Sequence, residues 1–189
     1  MQDYQRIFRA LPELETKRLV LRPVTLRDSR DLYRCYGDPE VSRFEPLSAH
    51  RSLAETRAYI RRLLRQYRLG LPGSLAVVLK GENRVIGTVS YSYIDCESHC
   101  AEIGYSLARD VWNNGYGTEA LRELLRFSFA ELHLNRVEAM YDPQNPASGR
   151  VMEKCGMQKE GLLRGRVYSK GQYRDVYLYA ILRKDFLSI

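Results

Sequence analysis

No apolar run in this chain of 189 residues approaches the ~20 residues that a membrane-spanning helix requires. The opening stretch Met1 to Ala10 lacks the apolar centre of a signal peptide, so a cytoplasmic protein is expected, with no membrane partner. Cysteine is scarce, with four residues, Cys35, Cys96, Cys100 and Cys155. Cys96 and Cys100 flank His99, but the other two cysteines lie in distant segments and no second close pair completes a ligand set. The expectation is reduced thiols and no metal. Histidine is scarcer still, at three, and His50, His99 and His133 have no nucleophile beside them in the sequence. A Ser-His-Asp relay and a covalent enzyme intermediate are therefore disfavoured. There is no internal repeat and no low-complexity segment.

What remains is an ordinary globular composition, with 44% hydrophobic and 28% charged residues. The length suits one domain over 1–189, large enough to bury a core without disulfide staples. Thirty Lys and Arg against 23 Asp and Glu give a net charge of +7, which draws anions such as phosphorylated cofactors or nucleic acid. The densest basic cluster is Arg57, Arg61, Arg62, Arg65 and Arg68. It reads as a solvated helix face, with contact to ribosomal RNA as the sharper alternative.

Periodicity predicts a strand at Arg18 to Val24, a helix at Ser29 to Tyr36 capped by Asp28, and a helix from Ser52 to Gly70 opened by a Ser52/Glu55 capping box. The segment before the first strand reads as an extra helix or a tail. Strands follow at Leu75 to Leu79, Val85 to Tyr93 and Ala101 to Leu107. A long helix spans Gly115 to Leu132, a strand Val137 to Tyr141 and a helix Ala147 to Cys155. Gln158 to Tyr168 and Tyr173 to Leu182 close the chain as two strands around the turn Ser169 to Gln172. This order implies an α/β (α+β) three-layer fold with a mixed, mostly antiparallel sheet of about seven strands, and one parallel crossover between Ala101 and Tyr141. The outer face of the last strands offers an edge for a homodimer.

Two glycines, Gly115 and Gly117, stand where the long helix opens. Backbone N–H groups there can converge on an anion, and the helix dipole adds to the attraction. A pyrophosphate is the natural occupant, and a plain turn before the helix is the alternative. The pattern lacks the third glycine of a dinucleotide fingerprint and the Gly-Lys-Ser/Thr of a Walker loop.

Glu102-Ile103-Gly104-Tyr105-Ser106-Leu107, followed by Trp112-x-x-Gly115-Tyr116-Gly117-Thr118-Glu119-Ala120, resembles the acyl-CoA motif of the GNAT acetyltransferases. Asn145-Pro146-Ala147-Ser148, Val151 to Met157 and Glu160-Gly161 resemble the motif that follows it. Glu15 to Pro23 is similar to the opening of the branch that acetylates ribosomal-protein N-termini, the RimJ and RimL type. The resemblance covers about residues 14–184 in matching order. Many members have Gln or Arg where this chain has Trp112, a difference shared with the ribosomal branch.

The resemblance implies an N-acetyltransferase that moves the acetyl group of acetyl-CoA directly to a primary amine, foremost the N-terminal amine of a protein. It implies a sheet splayed between its fourth and fifth strands, at Glu102 to Leu107 and Val137 to Tyr141, with pantetheine laid along Ser106 and Leu107 like an added strand. The loop Trp112, Asn113, Asn114, Gly115, Tyr116, Gly117 and Thr118 would hold the pyrophosphate, and Asn145 the pantetheine arm. The backbone N–H near Tyr105 would stabilise the oxyanion. Glu160, by analogy, or Glu102, by position, would serve as base, and each can also be read as a surface carboxylate. Ser148 would protonate the departing thiolate or simply cap its helix, and Tyr141 is a second candidate acid. The net charge disfavours polycationic acceptors, although polyamines and aminoglycosides suit such folds. Two other classes stay open: an acyl-CoA-binding module without catalysis, and a ribosome-associated RNA-binding factor.

Overall fold

The computed structural model describes residues 4–188. The helices are α1 (Tyr4–Arg9), α2 (Ser29–Tyr36), α3 (Pro39–Ser42), α4 (Leu53–Leu69), α5 (Tyr116–Ala130), α6 (Pro146–Lys154) and α7 (Arg183–Phe186). The strands are β1 (Leu14–Glu15), β2 (Leu19–Pro23), β3 (Ser74–Leu79), β4 (Arg84–Asp95), β5 (Cys100–Leu107), β6 (Arg136–Tyr141), β7 (Gln158–Ser169) and β8 (Gln172–Leu182). They form one eight-stranded sheet in the order β1-β2-β3-β4-β5-β6-β8-β7. Every pairing is antiparallel except β5 with β6. The count exceeds the expected seven by the two-residue β1, too short to carry an alternation signal. The splay accordingly falls between the fifth and sixth strands, at the segments anticipated.

Three layers follow from where apolar side chains point. On one face α2 and α4 cover the sheet, with Leu32, Ile60, Leu63 and Tyr67 packed on Ala76, Val78 and Val85. On the other lie α1, α5 and α6, whose Phe8, Leu121, Leu124, Phe127 and Met152 pack among Leu19, Val77, Ile86, Ile103 and Val137. β3 is buried along its whole length, which explains its unbroken apolar run Leu75 to Leu79. Each such Leu or Phe contributes about 1.5–3 kcal/mol through its removal from water.

Capping chemistry departs from expectation in two places. Ser52 accepts from the Glu55 amide at 3.3 Å, but Glu55 reaches back to the amide of Arg51, one residue earlier than a capping box would have it. Asp28 does not cap α2. Its buried carboxylate accepts from both arms of Arg22 at 2.8 and 2.9 Å and from the Thr25 amide at 2.7 Å. Burial alone would raise its pKa; the bonds from Arg22 and Thr25 together outweigh that and hold it below the ordinary carboxylate range.

Gly87 sets how closely β4 can approach the end of β5. A Cβ on it would lie 2.1 Å from the Ser106 carbonyl oxygen and 2.8 Å from Leu107 Cα, and its φ is +150°. A bulge adjoins it, where the register slips between Val77 and Val78 and leaves Ile86 of β4 as the extra residue. We expect Gly87→Ala to lower the unfolding free energy by about 2–4 kcal/mol in urea titrations. A loss below about 0.5 kcal/mol would show that the strands separate at no cost.

Candidate active site

The parallel pairing of β5 with β6 runs from Cys100–Arg136 to Ile103–Ala139 and then stops. β5 continues on β4 to Leu107, while β6 continues on β8 to Tyr141. Gly104 to Leu107 therefore face a widening gap. The Ala108 amide donates to the Ile86 carbonyl at 2.8 Å, and antiparallel alternation then turns the backbone groups of Ser106 and Gly104 toward β4 and those of Tyr105 and Leu107 toward the gap. The Leu107 carbonyl is already taken there, by Trp112 Nε1 at 2.8 Å. Trp112 thus fastens the loop to the strand end.

At the far side of that loop, Asn113 (φ 62°) and Gly115 (φ 78°) both adopt left-handed conformations. Such a path turns successive amides toward a common point. No side chain caps the N-terminus of α5, whose first amides stay open to an anion. The Asn114 side chain donates back to the Trp112 carbonyl at 3.0 Å, and its carbonyl accepts from Arg18 at 3.0 Å. Glu119 in the first turn of α5 fixes this arrangement: it accepts from Thr16 Oγ1, Arg18 N and Arg18 Nε at 2.6, 2.8 and 2.6 Å. A pyrophosphate fits these open amides, and the open edge of β5 leads directly into them.

Across the gap the Tyr105 phenol meets Ser148, donating to its carbonyl at 2.8 Å, with the Ser148 hydroxyl at the same distance. Burial, against the opposing bond from Ser148, raises the Tyr105 pKa and keeps the phenol protonated. Ser148 does not cap α6: the cap position is Asn145, and Ser148 lies inside the helix. Asn145 is half-buried and its side chain makes no hydrogen bond among the described residues. Tyr141 stacks against Tyr177 and Tyr179, with ring centroids 5.5 and 5.6 Å away.

The glutamates separate. Glu160 is exposed and bound through both oxygens by Arg136, which also donates to Glu138 at 2.6 Å. That fork sits at the closed end of the β5–β6 pair, and the Arg136 hydrogen bonds lower the Glu160 pKa. Structure does not bring Glu160 to Tyr105 and Ser148. Glu102 stands beside Glu138 in register and half-buried. Burial raises its pKa; Arg166 opposes and Glu138 adds to the shift.

Under the opposite face of β5 lies a cavity of about 390 Å³, walled by Tyr36, His50, Tyr59 and Arg62 and floored by Gly104, Tyr105 and Ser106. It adjoins the place where an acyl group on the β5 edge would end. Its one carboxylate is Glu45. Sequence reasoning missed this residue, since it sits in an irregular loop with no motif around it. Lys170 at the β7–β8 tip reaches the cavity's edge, donating to the carbonyls of Ser42, which lines it, and of Arg43, at 2.5 and 3.2 Å.

Cys35 and Cys155 are buried and free, and Cys96 is exposed. His99 bonds the Tyr4 hydroxyl at 2.9 Å. Among the described residues no three His, Cys, Asp or Glu side chains gather as a metal site, and no helix is long and apolar enough to cross a membrane.

An open strand edge running into an anion cradle defines a class, that of acyltransferases that hold a nucleotide-linked thioester. The model of the acetyltransferase (GNAT) domain matches residues 18–158, and the chain belongs to that family. It is 34% identical to the uncharacterized N-acetyltransferase p20 of Bacillus licheniformis over 92% of this chain and 97% of that one. It is 28% identical to the [ribosomal protein uS5]-alanine N-acetyltransferase of Escherichia coli, over 92% of each. The structure of a GNAT-family acetyltransferase from Bacillus anthracis superposes with a TM-score of 0.82 at 29% identity, covering 92% of this chain and 99% of that one. The protein is thus an acetyl-CoA-dependent N-acetyltransferase of the GNAT type, with the RimJ/RimL-like branch among its relatives.

Gly115→Val forces a branched side chain into a left-handed conformation at the cradle. Calorimetry should show acetyl-CoA binding weakened about tenfold or more, with the melting temperature falling by only a few degrees. Unchanged affinity would mean that the loop does not hold the pyrophosphate.

Proposed function

We propose that the protein acetylates the N-terminal amine of a protein by direct transfer from acetyl-CoA, with a ribosomal protein as the leading acceptor and the cytoplasm as its place of work. The observation that carries this reading is the cavity beneath Gly104 to Ser106. Its single carboxylate suits one ammonium and leaves a polyamine or aminoglycoside with uncompensated charge beside Arg62. The uS5-alanine relative points to the same acceptor class.

In this reading the amides of Asn114 to Thr118 bind the pyrophosphate, and Asn145 the pantetheine arm, which runs along Ser106 and Leu107. Acetyl-CoA supplies the activated acyl group. The Tyr105 N–H, turned into the gap, donates to the oxygen that becomes charged as the amine adds; one such donor is worth roughly 3 kcal/mol. The hydroxyl pair Tyr105–Ser148 gives a proton to the leaving sulfur. Glu160 takes no step, because Arg136 holds it at the closed end of the strands. Glu102 tunes the charge at the rim. The five arginines of α4 are exposed, and a ribosome-bound acceptor would bring phosphates against them.

Thiol release from acetyl-CoA, followed with N-terminal peptides, polyamines and aminoglycosides, tests the acceptor class. Release with peptides alone is expected. Release confined to polyamines or aminoglycosides would overturn the reading, and binding of acetyl-CoA without release to any acceptor would favour the non-catalytic module. On the preferred peptide, Ser148→Ala should lower kcat by about 10- to 100-fold, while Glu160→Gln should stay within about twofold. The reverse order would restore Glu160 as the base.

A further inference from the structure

Glu45 is a carboxylate without an ion partner, aimed into the acceptor cavity. Among the described residues no Lys, Arg or His nitrogen lies within 4.0 Å of it. The nearby Lys170 ammonium is engaged by the carbonyls of Ser42 and Arg43, so it lends Glu45 distant charge and no direct contact. Ser106 Oγ stands beside the same carboxylate, buried, without completing a well-formed hydrogen bond to it. A buried hydroxyl left unmatched calls for a partner that the bound state supplies. The Glu45 backbone is fixed, its amide donating to the Ser42 carbonyl at 3.1 Å.

These groups share one side of β5. Ser106 and Gly104 face the cavity, and the intervening Tyr105 turns its phenol across the gap to Ser148. An amine that meets Glu45 and Ser106 from the cavity therefore lies one strand's thickness from the acyl group. Glu102, also on β5, does not line this cavity.

We propose that Glu45 receives the acceptor's ammonium in this cavity and takes its proton, with the Ser106 oxygen as a second contact. The inference rests on the acetyltransferase reading above and names the base that reading leaves open. The proton passes from nitrogen to a Glu45 oxygen, and the free amine forms a C–N bond to the acyl carbon. As the C–S bond breaks, the sulfur gains a proton from the Tyr105–Ser148 pair. The second nitrogen proton, passed through solvent, refills that pair. Glu45 returns its own proton to solvent, so one proton leaves per turnover.

The surroundings suit that task. Burial pushes the Glu45 pKa up to about 7, while Ser106 and Lys170 pull it down. The titratable and charged groups facing it are Cys35 from α2, Tyr105 from β5 and Lys170 from the β7–β8 hairpin, where Arg174 acts on Lys170 in turn; Tyr36, His50, Tyr59 and Arg62 complete the walls. Burial holds Cys35 and Tyr36 protonated, and it holds His50 neutral to a lower pH than usual. Glu45 is therefore the group whose charge changes near neutrality, and activity should rise as pH climbs through about 7.

The test compares wild type, Glu45→Gln and Glu45→Asp on the peptide acceptor across pH, with acetyl-CoA affinity measured by calorimetry. Glu45→Gln should lose about a hundredfold or more in kcat/KM and lose the limb near pH 7, at unchanged acetyl-CoA affinity, and Glu45→Asp should recover part of both. Difference infrared spectra of wild type against Glu45→Gln should show a carboxyl titrating near that limb without any turnover. Wild-type activity matched by Glu45→Gln, with the limb retained, would overturn the assignment while leaving the acetyltransferase reading intact. Absence of wild-type turnover on every amine would sink that reading itself.

Discussion

The hydrogen-bonded contact between the Tyr105 phenol and Ser148 bridges the place where the sheet comes apart, and the rest of the site is arranged around it. Parallel pairing holds β5 and β6 together through Ile103 and Ala139. Beyond that point neither strand can satisfy the other, yet both stay ordered, because β4 holds one and β8 holds the other. The phenol spans the opening and keeps α6 at a fixed distance from the β5 edge. The exposed backbone edge, the hydroxyl pair and the cavity below thereby keep one geometry. Unpaired strand edges are usually covered or charged in folded proteins, and here the edge is left open beside the Tyr105–Ser148 contact.

Charge is distributed with the same economy. Arg136 binds Glu138 and Glu160, and Arg22 binds Asp28. These pairings leave few carboxylates on the inner surfaces unengaged by a cation. Burial then raises the pKa of the two that remain near β5, Glu102 and Glu45, and only the second opens on the cavity. A site for proton abstraction arises less from adding acidic groups than from committing the others elsewhere.

The sheet, its parallel crossover and the cradle were legible in the sequence because each leaves a local signature. β3 is an apolar run, α5 has helical spacing, and Gly115 precedes that helix by one residue. The cap expected of Asp28 does not form, and the settings of Ser148 and Glu160 were not legible because their partners lie far along the chain. Asp28 turns to Arg22, Ser148 to Tyr105 and Glu160 to Arg136. Ser148 and Glu160 bond partners 43 and 24 residues away, whereas Asp28 closes a local turn with Arg22 and Thr25. Glu45 left no trace at all, since a loop carboxylate is buried by segments far along the chain, such as β5 at Ser106, that no local pattern announces. Trp112 adds a contact that its place in the motif does not announce: its indole ties the Leu107 carbonyl.

The clasp of Glu119 on Thr16 and Arg18 joins the cradle to the segment that leads into β2. Arg18 extends it, since its guanidinium also reaches the Asn114 carbonyl and lies 4.3 Å from the Tyr116 ring centroid. In the proposed reading, where this loop holds the pyrophosphate, binding there is coupled to the outer margin of the sheet, some hundred residues earlier in the chain. By reciprocity, whatever loosens that margin weakens the hold on the nucleotide by the same free energy. On that reading the first strands are more than scaffold: they share a thermodynamic account with the far end of the cosubstrate, and a chain trimmed before Thr16 would keep its motifs while changing how tightly they grip.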